Sequence, residues 1–183
     1  MKLHLGCGKR NFPGWVHVDL VDLPHIDYQN SVDDLSMFED QSCDVIYSSH
    51  TLEYFDRYEV KDVLVEWNRV LKPGGILRLA VPDFDALIKV YAVTRDLENI
   101  LGPLYGRMTI STSAGTVTAY HKTTYNFENL KQLLSEIGFK DVSRFDWRET
   151  EHAQFDDHSQ AYFPHMDKEN GIHVSLNVEA YKK

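Results

Sequence analysis

The feature that most constrains the fold of this chain lies within residues 2–19. An apolar strand, Lys2–Leu5, runs directly into the glycine turn Gly6-Cys7-Gly8, and a second short apolar stretch ends on Asp19. Glycines after a strand let the backbone approach a ligand closely, and an acid that ends the next strand can accept both hydroxyls of a ribose. Together they predict a nucleoside site at the carboxyl edge of a parallel sheet, although the turn alone fits an ordinary tight turn equally well.

Composition limits the chain to one acidic domain. It has 183 residues, 43% hydrophobic and 26% charged, which is enough to bury one sizeable core. The formal net charge of −9 argues against nucleic-acid or anionic membrane partners. There is no apolar run long enough to span a membrane, no signal peptide, and both cysteines fall in predicted core segments. We therefore expect a cytoplasmic protein with reduced, buried thiols.

Strand and helix patterns alternate along the chain. The Lys-Pro-Gly-Gly run at 72–75 ends one amphipathic helix, because proline cannot continue it and glycine tolerates a left-handed cap. After the first two strands, the predicted strands are 26–32, 43–49, 76–81, 141–147 and 173–181, and the predicted helices are 53–71, 84–101 and 127–137. This alternation indicates an α/β fold with a mainly parallel sheet. The last two strands have no helix between them and could form an antiparallel hairpin at one edge.

Two polar segments are predicted to be lids or insertions within a single domain, 1–183. Residues 102–125 are rich in Gly, Ser and Thr and are predicted to form a long flexible loop, and residues 148–171 form a second polar stretch. The second segment carries side chains that suit a divalent ion: His152, Asp156, Asp157, His158 and His165. Their spacing matches no known ligand pattern, so we predict no metal site.

Four motifs in a fixed order resemble a known family. They are Leu-His-Leu-Gly-Cys-Gly at 3–8, Val-Asp at 18–19, Cys-Asp-Val-Ile-Tyr-Ser-Ser-His-Thr-Leu-Glu-Tyr at 43–54, and Arg-Val-Leu-Lys-Pro-Gly-Gly-Ile-Leu-Arg-Leu-Ala-Val-Pro-Asp at 69–83. They are similar to the class I S-adenosylmethionine-dependent methyltransferases, most closely to the small type-11-like group of bacterial predicted methyltransferases. The resemblance spans nearly the whole chain. It implies a Rossmann-like three-layer sandwich, whose mostly parallel seven-stranded sheet has an antiparallel last strand, and S-adenosyl-L-methionine as cofactor.

The resemblance also implies how the first two strands would hold the cofactor. Gly6, Cys7 and Gly8 would turn the chain under its methionine portion and ribose. Asp19 would hold the ribose hydroxyls. Both roles agree with the reading of these residues as a nucleoside site.

The later strands supply the remaining implied contacts. Asp34 would lie near the adenine, with Asp33 as the alternative because the loop length leaves the register open. Ser48, Ser49 and His50, at the end of the fourth strand, would face the methionine portion and the methyl group.

Methyl transfer from a sulfonium needs little covalent help, because positioning the reacting atoms in line supplies most of the acceleration. A base is needed only for a hydroxyl or a protonated amine. His50 is the first candidate, although it could equally pack against or cap the following helix. His121, on the predicted lid, is the second. Asp83 ends the next strand, where α/β sheets bind ligands, but a helix N-cap suits it better.

Three functions are compatible with the sequence. The first is a methyltransferase that acts on a small-molecule or glycan-like acceptor. The second is a non-catalytic or degenerate cofactor-binding module, because His4 replaces the usual acid before the first glycine, Arg10 replaces the third glycine, and residues 9–14 leave room for only one helical turn. The third, a nicotinamide-dependent oxidoreductase, is disfavoured because Asp19 comes only eleven residues after Gly8. The sequence identifies neither the acceptor nor the oligomeric state.

Overall fold

The computed structural model describes residues 1–112 and 115–183. The strands are β1 (Lys2–Leu5), β2 (Val16–Asp19), β3 (Tyr28–Gln29), β4 (Cys43–Ser49), β5 (Leu71–Pro82), β6 (Met108–Thr112), β7 (Gly115–Ala119), β8 (Phe139–Arg144), β9 (Tyr162–Phe163), β10 (Ile172–His173) and β11 (Ser175–Lys182). The α-helices are α1 (Glu59–Val70), α2 (Phe84–Thr94), α3 (Glu98–Tyr105) and α4 (Phe127–Ile137).

Seven of these strands form the central sheet, in the order β3-β2-β1-β4-β5-β11-β8. The first five in this order run parallel, and β11 lies antiparallel between β5 and β8. The predicted Rossmann-like α/β fold with an antiparallel last strand is confirmed. This topology brings the carboxyl ends of β1, β2, β4 and β5 to the same sheet edge as the amino end of β11, and we call it the site edge.

Helices α1 and α4 cover one face of the sheet. The apolar positions of α1 recur at helical spacing and pack on alternate residues of the strands, among them Leu3, Leu5, Leu77 and Leu79, all fully buried. The indole of Trp67 is also fully buried, and its Nε1–H donates to the Val32 carbonyl at 2.7 Å. This bond fixes the irregular chain after β3 onto the helix.

The other face is covered near β1 and β4 by aromatic and histidine rings instead of a helix. His4 stacks on Phe12 with ring centroids 4.2 Å apart, and Phe12 packs on Phe155 at 4.8 Å. Tyr47 packs on His152 at 4.1 Å. The chain after β8 therefore supplies the cover that the short connection between β1 and β2 cannot provide. We call this group of five residues the aromatic cluster.

The predicted helix 53–71 begins later than its apolar pattern indicated. Leu52–Tyr54 forms a separate 3-10 turn, and α1 starts at Glu59. The Asp56 Oδ1 atom accepts hydrogen bonds from the backbone N–H groups of Tyr58 and Glu59. In the other direction, the Glu59 carboxylate accepts the Asp56 backbone N–H at 2.8 Å. These reciprocal bonds, as in a capping box, fix the start of the helix.

The predicted helix 84–101 is two helices. Arg95 adopts a left-handed φ of 55° and ends α2, and the Asp96 carboxylate accepts the Glu98 N–H at 3.0 Å to begin α3. A left-handed residue cannot continue a right-handed helix, so the apolar pattern overstated its length.

The prediction of a flexible loop over 102–125 is wrong for much of its length. Its first residues finish α3, and β6 and β7 form an antiparallel two-stranded ribbon. The tip of that predicted loop, 113–114, lies outside the described residues. Threonine and other β-branched side chains favour a strand here, although Gly and Ser content suggested a loop.

The strand predictions differ from the structure mainly at their ends. The third strand is only Tyr28–Gln29, the strand predicted at 141–147 is Phe139–Arg144, and the last is divided into β10 and β11. Both cysteines are free and buried, as predicted. In the described parts of the chain, every helix is too short or too polar to cross a lipid bilayer.

Candidate functional site

The glycine turn lies at the site edge, directly after β1. Gly6 and Gly8 have left-handed φ angles of 66° and 54°. A Cβ on Gly6 would lie 2.1 Å from Thr51 Oγ1, so only glycine lets the chain after β4 pack against the turn. A Cβ on Gly8 would meet nothing within 4 Å. The turn thus closes against β4 at Gly6 and leaves an open cradle at Gly8.

Asp19 is fixed on this turn. Its Oδ2 accepts the Gly8 N–H at 2.7 Å, and its Oδ1 accepts the Val21 N–H at 3.0 Å. A carboxylate has about four acceptor positions, so each oxygen retains capacity for a further donor. The two predicted halves of the nucleoside site therefore lie together.

Cys7 lies between the two glycines with its thiol buried. Burial, followed by the nearby Asp19 carboxylate, raises the pKa of this thiol to about 12. The thiol is therefore uncharged at neutral pH, and Cys7 contributes backbone and an apolar side chain to the turn.

Asp34 lies next along the site edge. Asn30 follows β3 and links the two acids, because its N–H donates to the Asp19 carbonyl at 3.1 Å and its side chain donates to the Asp34 carbonyl at 2.8 Å. Hydrogen bonds from Ser36 lower the pKa of the exposed Asp34 carboxylate. Asp33 is exposed as well.

His25 is a member of this edge that sequence reasoning missed. Its Nε2–H donates to the Gly8 carbonyl at 3.0 Å. The residue lies in an irregular stretch with no periodic pattern, so no signal in the sequence pointed to it.

The end of β4 supplies the other side of the edge. Ser48 is buried, and its hydroxyl donates to the Leu5 carbonyl at 3.0 Å, which ties β4 to β1. Ser49 follows with a buried hydroxyl that has no hydrogen-bond partner among the described residues. His50 adopts a left-handed φ of 53° and turns the chain away from the strand.

The His50 ring contacts groups on both sides. Its Nε2 lies 3.2 Å from Ser175 Oγ, and its Nδ1 lies 3.4 Å from Glu53 Oε1. His158 packs against it at 5.1 Å between ring centroids. Burial, followed by the neighbouring His158, holds the pKa of His50 well below its usual value. His50 is therefore neutral at pH 7.

Glu53 is fully buried in the 3-10 turn after β4, and sequence reasoning missed it. Neither carboxyl oxygen has a hydrogen-bond partner within the described chain. Burial raises the pKa of this group to about 8. The available signal was an acid three residues after His50, which the helix prediction had placed at the start of helix 53–71.

His121 also lies near the Glu53 carboxyl group. Its Nε2 lies 3.8 Å from Glu53 Oε1, and its Nδ1 lies 2.9 Å from the Pro103 carbonyl. The next residue, Lys122, donates its N–H to the Glu53 carbonyl at 2.8 Å. The structure thus brings both predicted catalytic histidines, His50 and His121, to one buried carboxyl group.

Asp83 serves as a helix cap. Its Oδ1 accepts the N–H groups of Asp85 and Ala86 at the start of α2, and its Oδ2 lies 3.2 Å from the Arg144 guanidinium. The capping alternative is confirmed.

The histidines and acids of segment 148–171 do not converge. His152 belongs to the aromatic cluster, where Asp157 accepts the Tyr47 hydroxyl, whereas His158 packs against His50. Among the described residues, no group of three or more potential ligands is placed to hold a metal ion.

A solvated hollow of about 220 Å³ lies elsewhere, between α1 and α4. It is lined by side chains of both charges, including Arg57, Lys61 and Glu136, and by Tyr125. The glycine turn and Asp19 are not part of it. Backbone geometry and hydrogen bonding, not concavity, therefore define the candidate site.

Comparison with known proteins agrees with this geometry. Residues 9–79 match the family model described as "Methyltransferase domain", whereas a search of curated proteins finds no match. A methyltransferase dependent on S-adenosylmethionine from Methanosarcina mazei is 19% identical, with 99% of this chain and 91% of that chain covered and a TM-score of 0.56. A second from Archaeoglobus fulgidus is 17% identical, with 99% and 85% covered and a TM-score of 0.57.

A third solved structure holds ligands. It is the 1,6-didemethyltoxoflavin-N1-methyltransferase of Burkholderia thailandensis with bound 1,6-didemethyltoxoflavin and S-adenosylhomocysteine. It is 15% identical, with 100% of this chain and 70% of that chain covered and a TM-score of 0.56. Residues 9–79 thus resemble a methyltransferase domain, and the whole chain shares its fold with these solved methyltransferase structures.

Proposed function

We propose that this protein transfers the methyl group of S-adenosyl-L-methionine to a small-molecule or glycan-like acceptor in the cytoplasm. The observation that carries the proposal is the Asp19 carboxylate, held 2.7 Å from the Gly8 N–H beside an open glycine cradle. A carboxylate with spare acceptor capacity suits two ribose hydroxyls, and backbone without side chains suits the cofactor's close approach.

The residues at the carboxyl ends of β1 and β2 would bind the cofactor. In this proposal the Gly6-Cys7-Gly8 turn supports the methionine portion and ribose, and Asp19 accepts the ribose hydroxyls. Asp34, linked to Asp19 through Asn30, lies on the side where the adenine would be.

The end of β4 would face the reacting centre. The cofactor supplies an activated methyl group on a positively charged sulfur. The strand end from Ser48 to His50 positions its methionine portion, with Ser49 and His50 at the edge and Ser48 fixing the strand. His50 and His121 are the proposed catalytic residues. Segments 102–125 and 148–171 would cover the acceptor, because each contributes a histidine to the surroundings of His50.

Replacing Asp19 with alanine tests the cofactor site. We expect S-adenosylmethionine binding to weaken by about 1–3 kcal/mol, roughly 5- to 150-fold in Kd, because charged hydrogen bonds to the ribose are lost. The measurement is calorimetric titration of both proteins. Asp22→Ala, which removes an exposed acid three residues away, is the matched control and should bind like wild type. Equal affinity of the Asp19 variant and wild type would exclude this residue from the site.

A non-catalytic cofactor-binding module is the alternative function. It is favoured by His4, which lies in the aromatic cluster at the position where the resemblance implies an acid, and by the missing helix after the turn. Formation of S-adenosylhomocysteine in the presence of a panel of amines, alcohols, phenols, thiols and sugars separates the two functions. Turnover with any of them establishes the transferase, whereas tight binding without turnover favours the module.

A further inference from the structure

Three ionisable side chains meet beneath the site edge and form what we call the proton cluster: His50, Glu53 and His121. The Glu53 Oε1 atom lies 3.4 Å from His50 Nδ1 and 3.8 Å from His121 Nε2. Glu53 has no exposed surface, and the side chains of His50 and His121 are 14% and 8% exposed. The hydrogen bonds around the cluster determine which of these atoms carry protons.

The tautomer of His50 follows from a chain of three bonds. The Asn177 amide donates to the Ser159 carbonyl at 2.9 Å, so its oxygen faces Ser175 and accepts that hydroxyl at 2.9 Å. The Ser175 oxygen is then left to accept from His50, whose Nε2 must carry a hydrogen. In a neutral ring, the Nδ1 atom that faces Glu53 is therefore an unprotonated acceptor.

The tautomer of His121 follows from one bond. Its Nδ1 lies 2.9 Å from the Pro103 carbonyl, which can only accept, so Nδ1 carries the hydrogen. Its Nε2 atom, which faces Glu53, is then an acceptor as well. Burial lowers the pKa of this histidine, which favours the neutral ring.

The proton between these groups therefore resides on Glu53. Neither neutral imidazole offers it a hydrogen, and a buried carboxylate without donors is strongly disfavoured. A protonated carboxyl is uncharged, and it has the unprotonated His50 Nδ1 as an acceptor 3.4 Å away. At neutral pH Glu53 therefore carries the proton, and the two imidazole nitrogens that face it, His50 Nδ1 and His121 Nε2, carry none.

We propose that His50, Glu53 and His121 form a proton-accepting site for the methyl acceptor, which assigns that acceptor to the amines and hydroxyl compounds. This inference rests on the proposed methyltransferase function. The acceptor's nitrogen or oxygen forms a bond to the methyl carbon, and the carbon–sulfur bond breaks with its electron pair left on sulfur. The proton of the acceptor passes to one of the two unprotonated imidazole nitrogens.

Uptake of the acceptor's proton by the cluster is favourable because it leaves the Glu53 carboxylate with hydrogen-bond donors. The acceptor's proton occupies one imidazole nitrogen and the Glu53 proton moves to the other, so that Glu53 becomes a carboxylate with an imidazole N–H directed at it from each histidine. A buried carboxylate that accepts two charge-assisted hydrogen bonds is well stabilised. Because Glu53 acts through the two histidines, it is a positioning residue and not a catalytic one.

Other titratable groups face the cluster and modify its charge. Glu53 acts electrostatically on Tyr54 and Tyr125, and both phenols are neutral because burial, followed by Glu53, raises the pKa of each. After burial, the neighbouring His158 lowers the pKa of His50 further, and so do the electrostatic effects of His121, His173 and Arg10. These neighbours oppose a positive charge on His50 and so keep its Nδ1 vacant at neutral pH.

The full-length variant Glu53→Gln tests the role of the carboxyl group. We expect its S-adenosylmethionine affinity to stay within about twofold of wild type, and its kcat to fall by about 100-fold, the usual size of an acid–base contribution. The acidic limb of its kcat profile should move to lower pH, because an imidazole next to a neutral amide is harder to protonate. Glu59→Gln is the matched control, since Glu59 is exposed and pairs with Lys122, the residue after His121.

The outcomes distinguish this inference from the function on which it depends. Mass spectrometry identifies the methylated atom of the product formed from the acceptor panel. A methyl group on nitrogen or oxygen, with an altered pH profile for Glu53→Gln, supports the inference. A methyl group on sulfur or carbon, or an unchanged profile, overturns it and leaves the transferase function intact. Bound cofactor without any product overturns both.

A measurement on the wild-type protein does not require turnover. Nitrogen-15 shifts at pH 7 should show neutral imidazoles with hydrogens on His50 Nε2 and His121 Nδ1. The infrared band of a protonated carboxyl group should be present and should disappear in Glu53→Gln. A Glu53 carboxylate at pH 7, or a charged imidazole in the cofactor-free protein, would overturn the inference.

Discussion

Replacing Glu53 with glutamine is expected to make the protein more stable than wild type at neutral and alkaline pH. The pKa of this buried carboxyl is raised from its ordinary 4.5 to about 8 in the folded protein. Between these values the folded state holds a proton that the unfolded chain has lost, so wild-type stability falls as pH rises. The slope is about 1.4 kcal/mol for each pH unit, and it disappears when the residue cannot ionise.

Urea unfolding of wild type and Glu53→Gln from pH 5 to 9 measures this difference. The two free energies of unfolding should diverge as pH rises and run parallel above the folded pKa. Buried histidines outside the proton cluster, such as His4 and His17, contribute the opposite slope, because their lowered pKa values remove stability as pH falls below 6.5. Because both proteins contain these histidines, that slope cancels in the difference between their free energies of unfolding. Parallel curves across the whole range would show that Glu53 is ionised in the folded state.

Gly6→Ala is expected to have the second large effect, on stability and on cofactor binding together. A side chain at this left-handed φ costs about 1–2 kcal/mol. The new Cβ would also lie 2.1 Å from Thr51 Oγ1, and overpacking of this kind adds about 1–3 kcal/mol. The loss of stability should be measured by urea unfolding, and cofactor binding by calorimetry.

Gly8→Ala is the matched control for Gly6→Ala. Its φ of 54° carries a similar backbone cost, but its Cβ would meet nothing within 4 Å. We expect Gly8→Ala to be the more stable of the two variants, yet to bind S-adenosylmethionine poorly because the new methyl group fills the cradle. Adding Thr51→Ala should restore part of the stability of Gly6→Ala. Equal stability of the two glycine variants would contradict the packing that the structure shows.

The proximity of the glycine turn and Asp19 could be predicted because its signals are local. A strand followed by Gly6-Cys7-Gly8, with Asp19 closing the next strand, fixes two neighbouring strand ends regardless of the rest of the chain. The alternating apolar residues of β11 likewise indicated a strand, and the absence of a helix before it indicated antiparallel pairing.

The proton cluster could not be predicted because His121 is distant in sequence from His50 and Glu53. Glu53 meets His121 only because the chain after β7 folds back on the 3-10 turn, where the Lys122 N–H binds the Glu53 carbonyl. Helical periodicity placed Glu53 at the start of the predicted helix 53–71. Only the capping bonds between Asp56 and Glu59 show that the helix starts later.

The two departures from the family pattern have a structural explanation. His4 stacks on Phe12 at 4.2 Å inside the aromatic cluster, and the Arg10 guanidinium donates to the Asp156 carbonyl at 3.2 Å. Both residues hold the segment after β8 against the face that a helix would otherwise cover. Such contacts depend on a distant segment, so the sequence showed only that the usual acid and glycine were missing.

A crystal structure of the protein with S-adenosylhomocysteine tests the central claim most directly. We predict the nucleoside ribose within hydrogen-bond distance of the Asp19 carboxylate, with the homocysteine portion over the Gly6-Cys7-Gly8 turn. A nucleoside bound away from Asp19, with the cradle at Gly8 filled by protein, would contradict the account.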